Sequence, residues 1–121
     1  MYKLKKILYI DDEPTNLLLF KINFENKFSV ITGLSGFEGL KLLEKNEDIT
    51  VVISDMKMPV MNGIEFIRKA RILYPNISYF ILTGFEITQE IENALKDGVI
   101  CEYFQKPFKI NEIYSTIIKK L

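Results

Sequence analysis

The sequence predicts one α/β domain with a doubly wound parallel sheet of five strands, and two observations support this fold class. Short apolar runs rich in β-branched and aromatic residues alternate with segments whose apolar residues recur at helical spacing. The chain has 121 residues, of which 48% are hydrophobic and 26% charged, as is typical of a single globular domain. Strands that alternate with helices indicate a parallel sheet with helices on both faces. One domain, residues 1–121, is therefore expected to carry the whole function.

The strands are predicted from the apolar runs. Each run is short, contains β-branched or aromatic residues, and is bounded by polar or turn-forming residues. In chain order the predicted strands cover residues 6–10, 29–32, 51–54, 79–82 and 102–105. The helical connections between them are expected to be right-handed.

The first two helices are predicted from the signals at their amino ends. Pro14 begins the first, because the missing N–H of proline costs nothing in the first turn of a helix. Ser35 and Glu38 have the spacing of a capping box, in which each side chain accepts a hydrogen bond from the backbone N–H of the other residue. Gly39, inside the second helix, is expected to soften it at a cost of roughly 0.5–1 kcal/mol. The apolar residues of this helix are Phe37, Leu40 and Leu43.

The other three helices are predicted from glycine, proline and polar caps. The third runs from about Gly63 and stops before Pro75, and the fourth runs from about Thr88 to Gly98. Asn111 is predicted to cap the fifth helix, because its side chain can accept hydrogen bonds from the first turn. The predicted apolar stripe of the fifth helix consists of Ile113, Ile117 and Leu121.

Polar residues follow four of the predicted strands at their carboxyl ends. In chain order, these residues are Asp11, Asp12, Asp55, Thr83 and Lys106. In an open α/β sheet, ligands bind at the carboxyl ends of the strands. We therefore expect these side chains, although distant in sequence, to converge on one small pocket.

The chemistry of this set suits a divalent cation and a phosphoryl group. Carboxylate oxygens are hard ligands for Mg²⁺, and such an ion would offset the repulsion among Asp11, Asp12 and Asp55. Asp55 is also a candidate nucleophile, since an aspartate can form an acyl phosphate. The Lys106 ammonium and the Thr83 hydroxyl would then contact phosphoryl oxygens. Taken singly, each residue also fits a solvated loop, a cap or strand filling, so the argument depends on their joint placement.

Composition excludes several other classes of function. The 16 basic and 16 acidic residues balance, so no general attraction to nucleic acid or an anionic membrane is expected. The absence of histidine removes the usual general base, the usual zinc ligand and any phosphohistidine of the chain's own. Cys101 is the only cysteine, so no internal disulfide is expected. Without a signal peptide or an apolar run of about 18 residues, we expect a soluble cytoplasmic protein.

The chain resembles the receiver domain of the bacterial two-component response regulators. The stretches that carry the resemblance are ILYIDDEP, VVISDMKMPVMNG, FILTG and ALKDGVICEYFQKPF, together with the closing helix. They cover essentially the whole chain. The resemblance implies a flavodoxin-like (CheY-like) fold with strand order 2-1-3-4-5. It also implies a signalling phosphoacceptor, which catalyses only its own phosphorylation and dephosphorylation and is not an enzyme for free substrates.

The resemblance implies a role for each residue of the predicted pocket. Asp55 would accept a phosphoryl group from the phosphohistidine of a sensor kinase or phosphotransfer protein. Asp12, Asp55 and the backbone carbonyl of Lys57 would hold Mg²⁺, and Asp11 would act largely through water. Lys106 would contact the phosphoryl oxygens, and its peptide bond to the following proline would be cis.

The resemblance also implies a two-state switch. Phosphorylation adds up to about two negative charges, which would draw the Thr83 hydroxyl inward and admit the ring of Tyr103 to the vacated space. The alternative is that Tyr103 is a fixed core aromatic. The output face would consist of the fourth helix, the fifth strand and the fifth helix. Its exposed candidates are Glu92, Lys96, Lys109 and Tyr114.

The resemblance implies that Lys57 and Phe85 stand at two positions that tune dephosphorylation in the family. Each lies two residues after a predicted site residue, at the mouth of the pocket. A cation and a bulky ring at these positions predict a long-lived aspartyl phosphate.

Three other interpretations are open at this point. A flavodoxin-like cofactor binder would need a phosphate loop rich in Ser, Thr and Gly after the first strand, where this chain has IDDEP. A phosphohydrolase would need a second carboxylate two residues after Asp55, where Lys57 stands. A phosphorylation-independent pseudo-receiver should lack a pocket residue, and none is missing.

The partners implied by the resemblance are other signalling proteins. They are a sensor histidine kinase or phosphotransfer protein, a downstream output domain or protein, and a second copy of the chain in a phosphorylation-linked homodimer. Direct binding to nucleic acid or a membrane is not expected. The chain fits a stand-alone regulator and a receiver from a longer protein equally well.

Overall fold

The computed structural model describes residues 4–121, so the first three residues of the predicted domain lie outside the described residues. Within this range, five strands alternate with five helices. In chain order the elements are β1 (Lys6–Ile10), α1 (Pro14–Phe24), β2 (Ser29–Gly33), α2 (Gly36–Lys45), β3 (Ile49–Asp55), α3 (Gly63–Leu73), β4 (Ser78–Thr83), α4 (Gln89–Lys96), β5 (Glu102–Gln105) and α5 (Ile110–Ile118). The strands form one parallel sheet in the order β2-β1-β3-β4-β5, which confirms the predicted fold class and strand order.

Apolar side chains cover both faces of the sheet, because successive residues of a strand point to opposite faces. Leu8 and Ile10 of β1 belong to a core layer that includes residues of α2, α3 and α4. Ile7 and Tyr9 belong to the layer on the other face, which includes residues of α1 and α5. With both faces covered, the ends of the strands are where polar groups of the sheet can meet a ligand.

A stack of aromatic rings holds α1 against the end of β1. The ring centroids of Tyr9 and Phe20 lie 4.2 Å apart, and those of Phe20 and Phe24 lie 4.5 Å apart. All three side chains are fully buried. Stacked pairs of this kind contribute roughly 0.5–1.5 kcal/mol each beyond the burial of their surface. The packing therefore restrains the carboxyl end of β1 and the aspartates that follow it.

The hydrogen bonds at the start of α2 differ in part from the predicted capping box. The Ser35 side chain accepts the backbone N–H of Glu38 as predicted, but the Glu38 carboxylate accepts the N–H of Leu34, one residue outside the box. A complete capping box occurs instead at α3, between Asn62 and Glu65. The spacing of Ser35 and Glu38 therefore identified the start of α2. It did not identify the donor to the Glu38 carboxylate, because the chain before Ser35 brings the N–H of Leu34 within reach.

The ends of α4 agree with the prediction, whereas those of α5 do not. Thr88 caps α4, and Gly98 beyond it has φ of 75°, the left-handed conformation expected of a glycine after a helix. Asn111 does not cap α5: the helix begins at Ile110, which packs against the core layer, and its N-cap residue is Lys109. The prediction followed side-chain propensity, but the packing of the partly buried Ile110 against the core draws the chain into the helix two residues earlier.

Two apolar residues predicted for helix stripes are exposed. Leu121 lies beyond the end of α5 and is 45% exposed, whereas Ile113 and Ile117 are buried. Phe37 of α2 is 51% exposed. Because a stripe is buried only where a helix meets the sheet, periodicity identified the face but not its limits.

Gly39 has a packing role that helix propensity does not indicate. A Cβ atom built on Gly39 would lie 2.8 Å from Cε1 of Phe66 on α3. The missing side chain therefore lets α2 approach α3 closely, which compensates for the lower helix propensity of glycine.

Candidate functional site

The five predicted residues lie at one edge of the sheet, as expected from the ends of their strands. Asp55 is the last residue of β3 and Asp11 directly follows β1, which pairs with β3 in parallel. Carboxylate oxygens of Asp11, Asp12 and Asp55, one from each, all lie within 4.8 Å of one another. Thr83 ends β4, and its carbonyl accepts the backbone N–H of Lys106 at 2.7 Å. The structure therefore brings these five residues to one edge of the sheet, and their roles stay predictions.

Asp11 is fully buried and receives three hydrogen bonds. Its Oδ1 accepts the backbone N–H of Glu13 at 3.0 Å, and its Oδ2 accepts the Tyr9 hydroxyl at 2.7 Å and the Lys106 ammonium at 2.9 Å. The contact with Tyr9 was not foreseen from the sequence. Residues two apart on a strand point to the same side, so this spacing was the available signal.

Asp55 lies in the centre of the edge and is 5% exposed. Its Oδ1 accepts the backbone N–H of Met56 at 3.0 Å and lies 3.4 Å from the Lys106 ammonium. Burial and, to a lesser extent, the neighbouring charge of Asp11 raise the pKa of Asp55 from 3.8 to about 6, although Lys106 opposes this shift. The charged form of this carboxylate is thus held in a site that disfavours it.

Lys106 is the cation that both buried aspartates share. Burial by itself lowers the pKa of Lys106, but the hydrogen bond to Asp11 and the charges of Asp55 and Asp11 outweigh burial and raise it. Its peptide bond to Pro107 is cis, as predicted. One ammonium stands against the three carboxylates of the cluster, so a net negative charge is left when all are ionised.

The acidic cluster fits a magnesium ion by the chemistry of its donors. All three side chains offer carboxylate oxygens, and Mg²⁺ is bound in proteins by a few such ligands while it keeps several waters. An added cation would also relieve the repulsion that contributes to the raised pKa of Asp55.

Thr83 and Tyr103 occupy neighbouring strands beside this cluster. Thr83 is 1% exposed, and its hydroxyl oxygen accepts the backbone N–H of Phe85 at 3.2 Å, which leaves the hydroxyl proton available to a further acceptor. Tyr103, on β5, is half-buried and packs against the layer that contains α4. Its switching role stays a prediction.

A cavity of about 510 Å³ opens over the cluster, and Lys57 and Phe85 lie at its wall. The ammonium of Lys57 sits 4.6 Å from the centroid of the Phe85 ring. A cation over an aromatic face is attracted by the ring quadrupole, by about 0.5–1 kcal/mol at an exposed site. The two residues that the sequence placed at the mouth of the pocket are therefore in contact with each other there.

Comparisons with known proteins agree with this geometry. The family model of the response regulator receiver domain matches residues 7–118. A chemotaxis protein CheY homolog of Campylobacter jejuni is 36% identical over 85% of this chain and 82% of its own length. The sporulation initiation phosphotransferase F of Bacillus subtilis is 30% identical over 97% of this chain and 94% of its own length.

Solved structures are similar over nearly the whole chain. A response regulator receiver domain protein from Clostridium thermocellum has a TM-score of 0.90 with 36% identity, over 97% of this chain and 94% of that chain. The response regulator TrrA from Thermotoga maritima, in complex with Mg²⁺ and BeF, has a TM-score of 0.83 with 28% identity, over 98% and 100%.

Other relatives are much longer than this chain. It spans 23% of the hydrogenase transcriptional regulatory protein HoxA of Cupriavidus necator and 26% of the transcriptional regulatory protein GlrR of Escherichia coli. Among the described residues, no helix combines the length and the apolar character that a membrane crossing requires.

Proposed function

Because this chain belongs to the response regulator receiver domain family, we propose that it relays a signal by accepting a phosphoryl group on Asp55. The observation that carries the proposal is the placement of Asp55, a buried carboxylate at the centre of the sheet edge beside two aspartates and a shared lysine. A raised pKa of about 6 still leaves most of this carboxylate ionised at pH 7, so that it can act as a nucleophile.

Phosphoryl transfer proceeds by attack of an Asp55 oxygen on the phosphorus of a donor phosphohistidine. A P–O bond forms, the P–N bond breaks, and the imidazole leaves. Asp12, Asp55 and the backbone carbonyl of Lys57 would hold Mg²⁺, with Asp11 acting through water. A bound Mg²⁺ would neutralise charge on the transferred group.

Lys106 and Thr83 are proposed to respond to the new charge on Asp55. Lys106 leaves its bonds to Asp11 and Asp55 and contacts phosphoryl oxygens, and the Thr83 hydroxyl donates a hydrogen bond to another. Tyr103 then moves toward the space beside Thr83, and the face formed by α4, β5 and α5 changes shape. This change is a shift between two populated states and requires no new fold.

The phosphoryl donor is proposed to dock on α1. Glu13 and Asn16, at the start of this helix, line the cavity over Asp55. One turn further, Leu18, Leu19 and Ile22 are 57%, 47% and 57% exposed. A protein that brings its phosphohistidine to Asp55 must contact the surface beside the cavity, and these side chains offer it an apolar surface to bury. The partner is accordingly a sensor kinase or a phosphotransfer protein.

Asp55→Asn is expected to abolish phosphorylation, because the amide lacks the nucleophilic carboxylate. The wild-type protein, incubated with Mg²⁺ and acetyl phosphate or phosphoramidate, should gain the mass of one phosphoryl group. Asp97→Asn, which changes an exposed carboxylate after α4, serves as the matched control and should behave as the wild type. The adduct should also fail to form in EDTA.

Two results would contradict the proposed function. An adduct that persists in Asp55→Asn would place the phosphoryl group elsewhere. If the wild-type protein forms no adduct and does not bind beryllofluoride, the chain is a phosphorylation-independent interaction module, which is the pseudo-receiver alternative.

Phe85→Ala is expected to shorten the lifetime of the aspartyl phosphate several-fold. Phe85 and the Lys57 ammonium lie together over the cavity, where they obstruct the approach of water to Asp55. Removal of the ring opens this approach and frees the lysine. The decay of the adduct after removal of the donor is followed by intact mass. Phe37→Ala removes a similarly exposed ring from α2 and should leave the rate unchanged; equal rates in all three proteins would rule out shielding by Phe85.

A further inference from the structure

The hydroxyl of Tyr9 is a buried donor that points into the acidic cluster. Tyr9 is fully buried, its ring is stacked on Phe20, and its hydroxyl donates to Oδ2 of Asp11 at 2.7 Å. The hydroxyl is the donor in this contact, because an ionised carboxylate can only accept hydrogen bonds. A hydrogen bond to an ionised carboxylate is stronger than one between neutral groups.

The Tyr9 hydroxyl and the Lys106 ammonium share one oxygen of Asp11. Lys106 lies 2.9 Å from this Oδ2 and also 3.4 Å from Oδ1 of Asp55. The proposed function requires Lys106 to turn toward a phosphoryl group on Asp55. Asp11, which is fully buried, then loses its direct contact with this ammonium. A buried carboxylate oxygen that loses a hydrogen-bond donor is costly, so the remaining donors to Asp11 decide whether it keeps its position.

We propose that Tyr9 is a positioning residue, whose hydroxyl holds Asp11 at the magnesium site when Lys106 turns toward the phosphoryl group. This inference rests on the function proposed above. Its basis is that two side-chain donors contact Oδ2 of Asp11. Lys106 also contacts Asp55, whereas Tyr9 is held in place by the aromatic stack with α1. Groups that hydrogen-bond to the ligands of a metal orient those ligands and tune its affinity.

The proposal predicts an effect of Tyr9→Phe that depends on the state of Asp55. Without a phosphoryl analogue, Lys106 still holds Asp11, so the dissociation constant of Mg²⁺ should rise by about threefold or less. With beryllofluoride on Asp55, Lys106 is engaged elsewhere, and the same variant should weaken Mg²⁺ binding by about tenfold or more. The phenylalanine ring preserves the stack, so the packing of α1 should change little.

Tyr79→Phe provides a matched control. Tyr79 of β4 is 1% exposed, and its hydroxyl donates to the carbonyl of Tyr74 at 2.9 Å, near the amino end of the same sheet. This variant also removes the hydroxyl hydrogen bond of a buried tyrosine side chain, but at a distance from the acidic cluster. A general loss of stability would affect both variants alike, whereas a positioning role for Tyr9 affects Mg²⁺ binding in one of them.

Isothermal titration with Mg²⁺, with and without beryllofluoride, tests the proposal on the wild type and both variants. A state-dependent loss of affinity confined to Tyr9→Phe supports it. The proposal is overturned if Tyr9→Phe binds within twofold of the wild type in both states, or if Tyr79→Phe loses as much affinity. If the wild type itself binds no Mg²⁺, the proposed magnesium site fails, and the role of Tyr9 fails with it.

Two further measurements keep the test independent of how well one variant folds. In a Lys106→Met background, which removes the shared cation, Tyr9→Phe should weaken Mg²⁺ binding by its full amount even without beryllofluoride. In the wild-type protein, the hydroxyl proton of Tyr9 should stay protected from exchange with water in NMR spectra when Mg²⁺ and beryllofluoride are added. Loss of this protection would show that Tyr9 releases Asp11 and would overturn the proposal.

Discussion

Asp55→Asn should increase the free energy of unfolding by about 2–3 kcal/mol at pH 8 in EDTA, and by close to nothing at pH 4. The folded protein raises the pKa of Asp55 from 3.8 to about 6 through burial and the neighbouring Asp11. Between these values the folded state binds more protons than the unfolded state, so wild-type stability falls as the pH rises through this range. One pKa unit corresponds to about 1.4 kcal/mol, and the raised pKa of Asp55 already includes the opposing attraction to Lys106, so the gain is on the order of 2–3 kcal/mol. Asparagine has no charge to bury and escapes this penalty.

Urea unfolding of the wild type and Asp55→Asn at pH 4, 6 and 8 measures this difference. Asp97→Asn, at an exposed position, is the control and should show no comparable dependence on pH. Saturating Mg²⁺ at pH 8 should stabilise the wild type and reduce the difference, because a ligand that binds only the folded state adds to its stability. A stability difference that is the same at pH 4 and pH 8 would mean that burial of the Asp55 charge is not its cause.

Gly63→Ala is expected to destabilise the fold by about 3 kcal/mol and to slow phosphorylation of Asp55. A Cβ atom on Gly63 would overlap the backbone carbonyl oxygen of Asp55 and lie 2.8 Å from Cδ1 of Ile81. Because backbone atoms cannot turn aside as a flexible side chain can, α3 must move away from the end of β3. The N–H of Gly63 also donates to the carbonyl of Met56 at 2.8 Å, so this movement disturbs the loop that positions Asp55.

Gly84→Ala is the matched control for this substitution. Its Cβ atom would meet only side-chain atoms of Lys106, the nearest at 3.5 Å, which is an ordinary van der Waals contact. Urea denaturation and the rate of adduct formation by intact mass are measured for both variants. If Gly63→Ala and Gly84→Ala differ by less than about 0.5 kcal/mol, the close approach of α3 to Asp55 does not constrain residue 63.

The strands were predicted well because their signal is local. The predicted limits of β1 and β5 agree with the structure, and β3 begins two residues before its predicted start, at Ile49. The helix starts were predicted less accurately where tertiary packing competes with capping. At α5, the packing of the partly buried Ile110 shifted the start away from Asn111, and at α2 the carboxylate of Glu38 accepts an N–H outside the predicted box.

The arrival of Asp11, Asp55, Thr83 and Lys106 at one edge follows from the amino-acid sequence alone, because each residue comes at the carboxyl end of a strand in an alternating α/β chain. That inference needs only the period of the apolar residues and the rule that parallel strands share a carboxyl end. It carries no information on which donor faces which oxygen.

Three features emerge only in the packed fold. Tyr9 and Lys106 share an oxygen of Asp11, and Lys57 lies over Phe85. Gly39 and Gly63 allow close helix packing. These features depend on distances of a few ångströms between segments that are remote in the chain. Such distances are set by the simultaneous packing of both core layers, whereas the pattern of residues along one segment records only which face of it is buried.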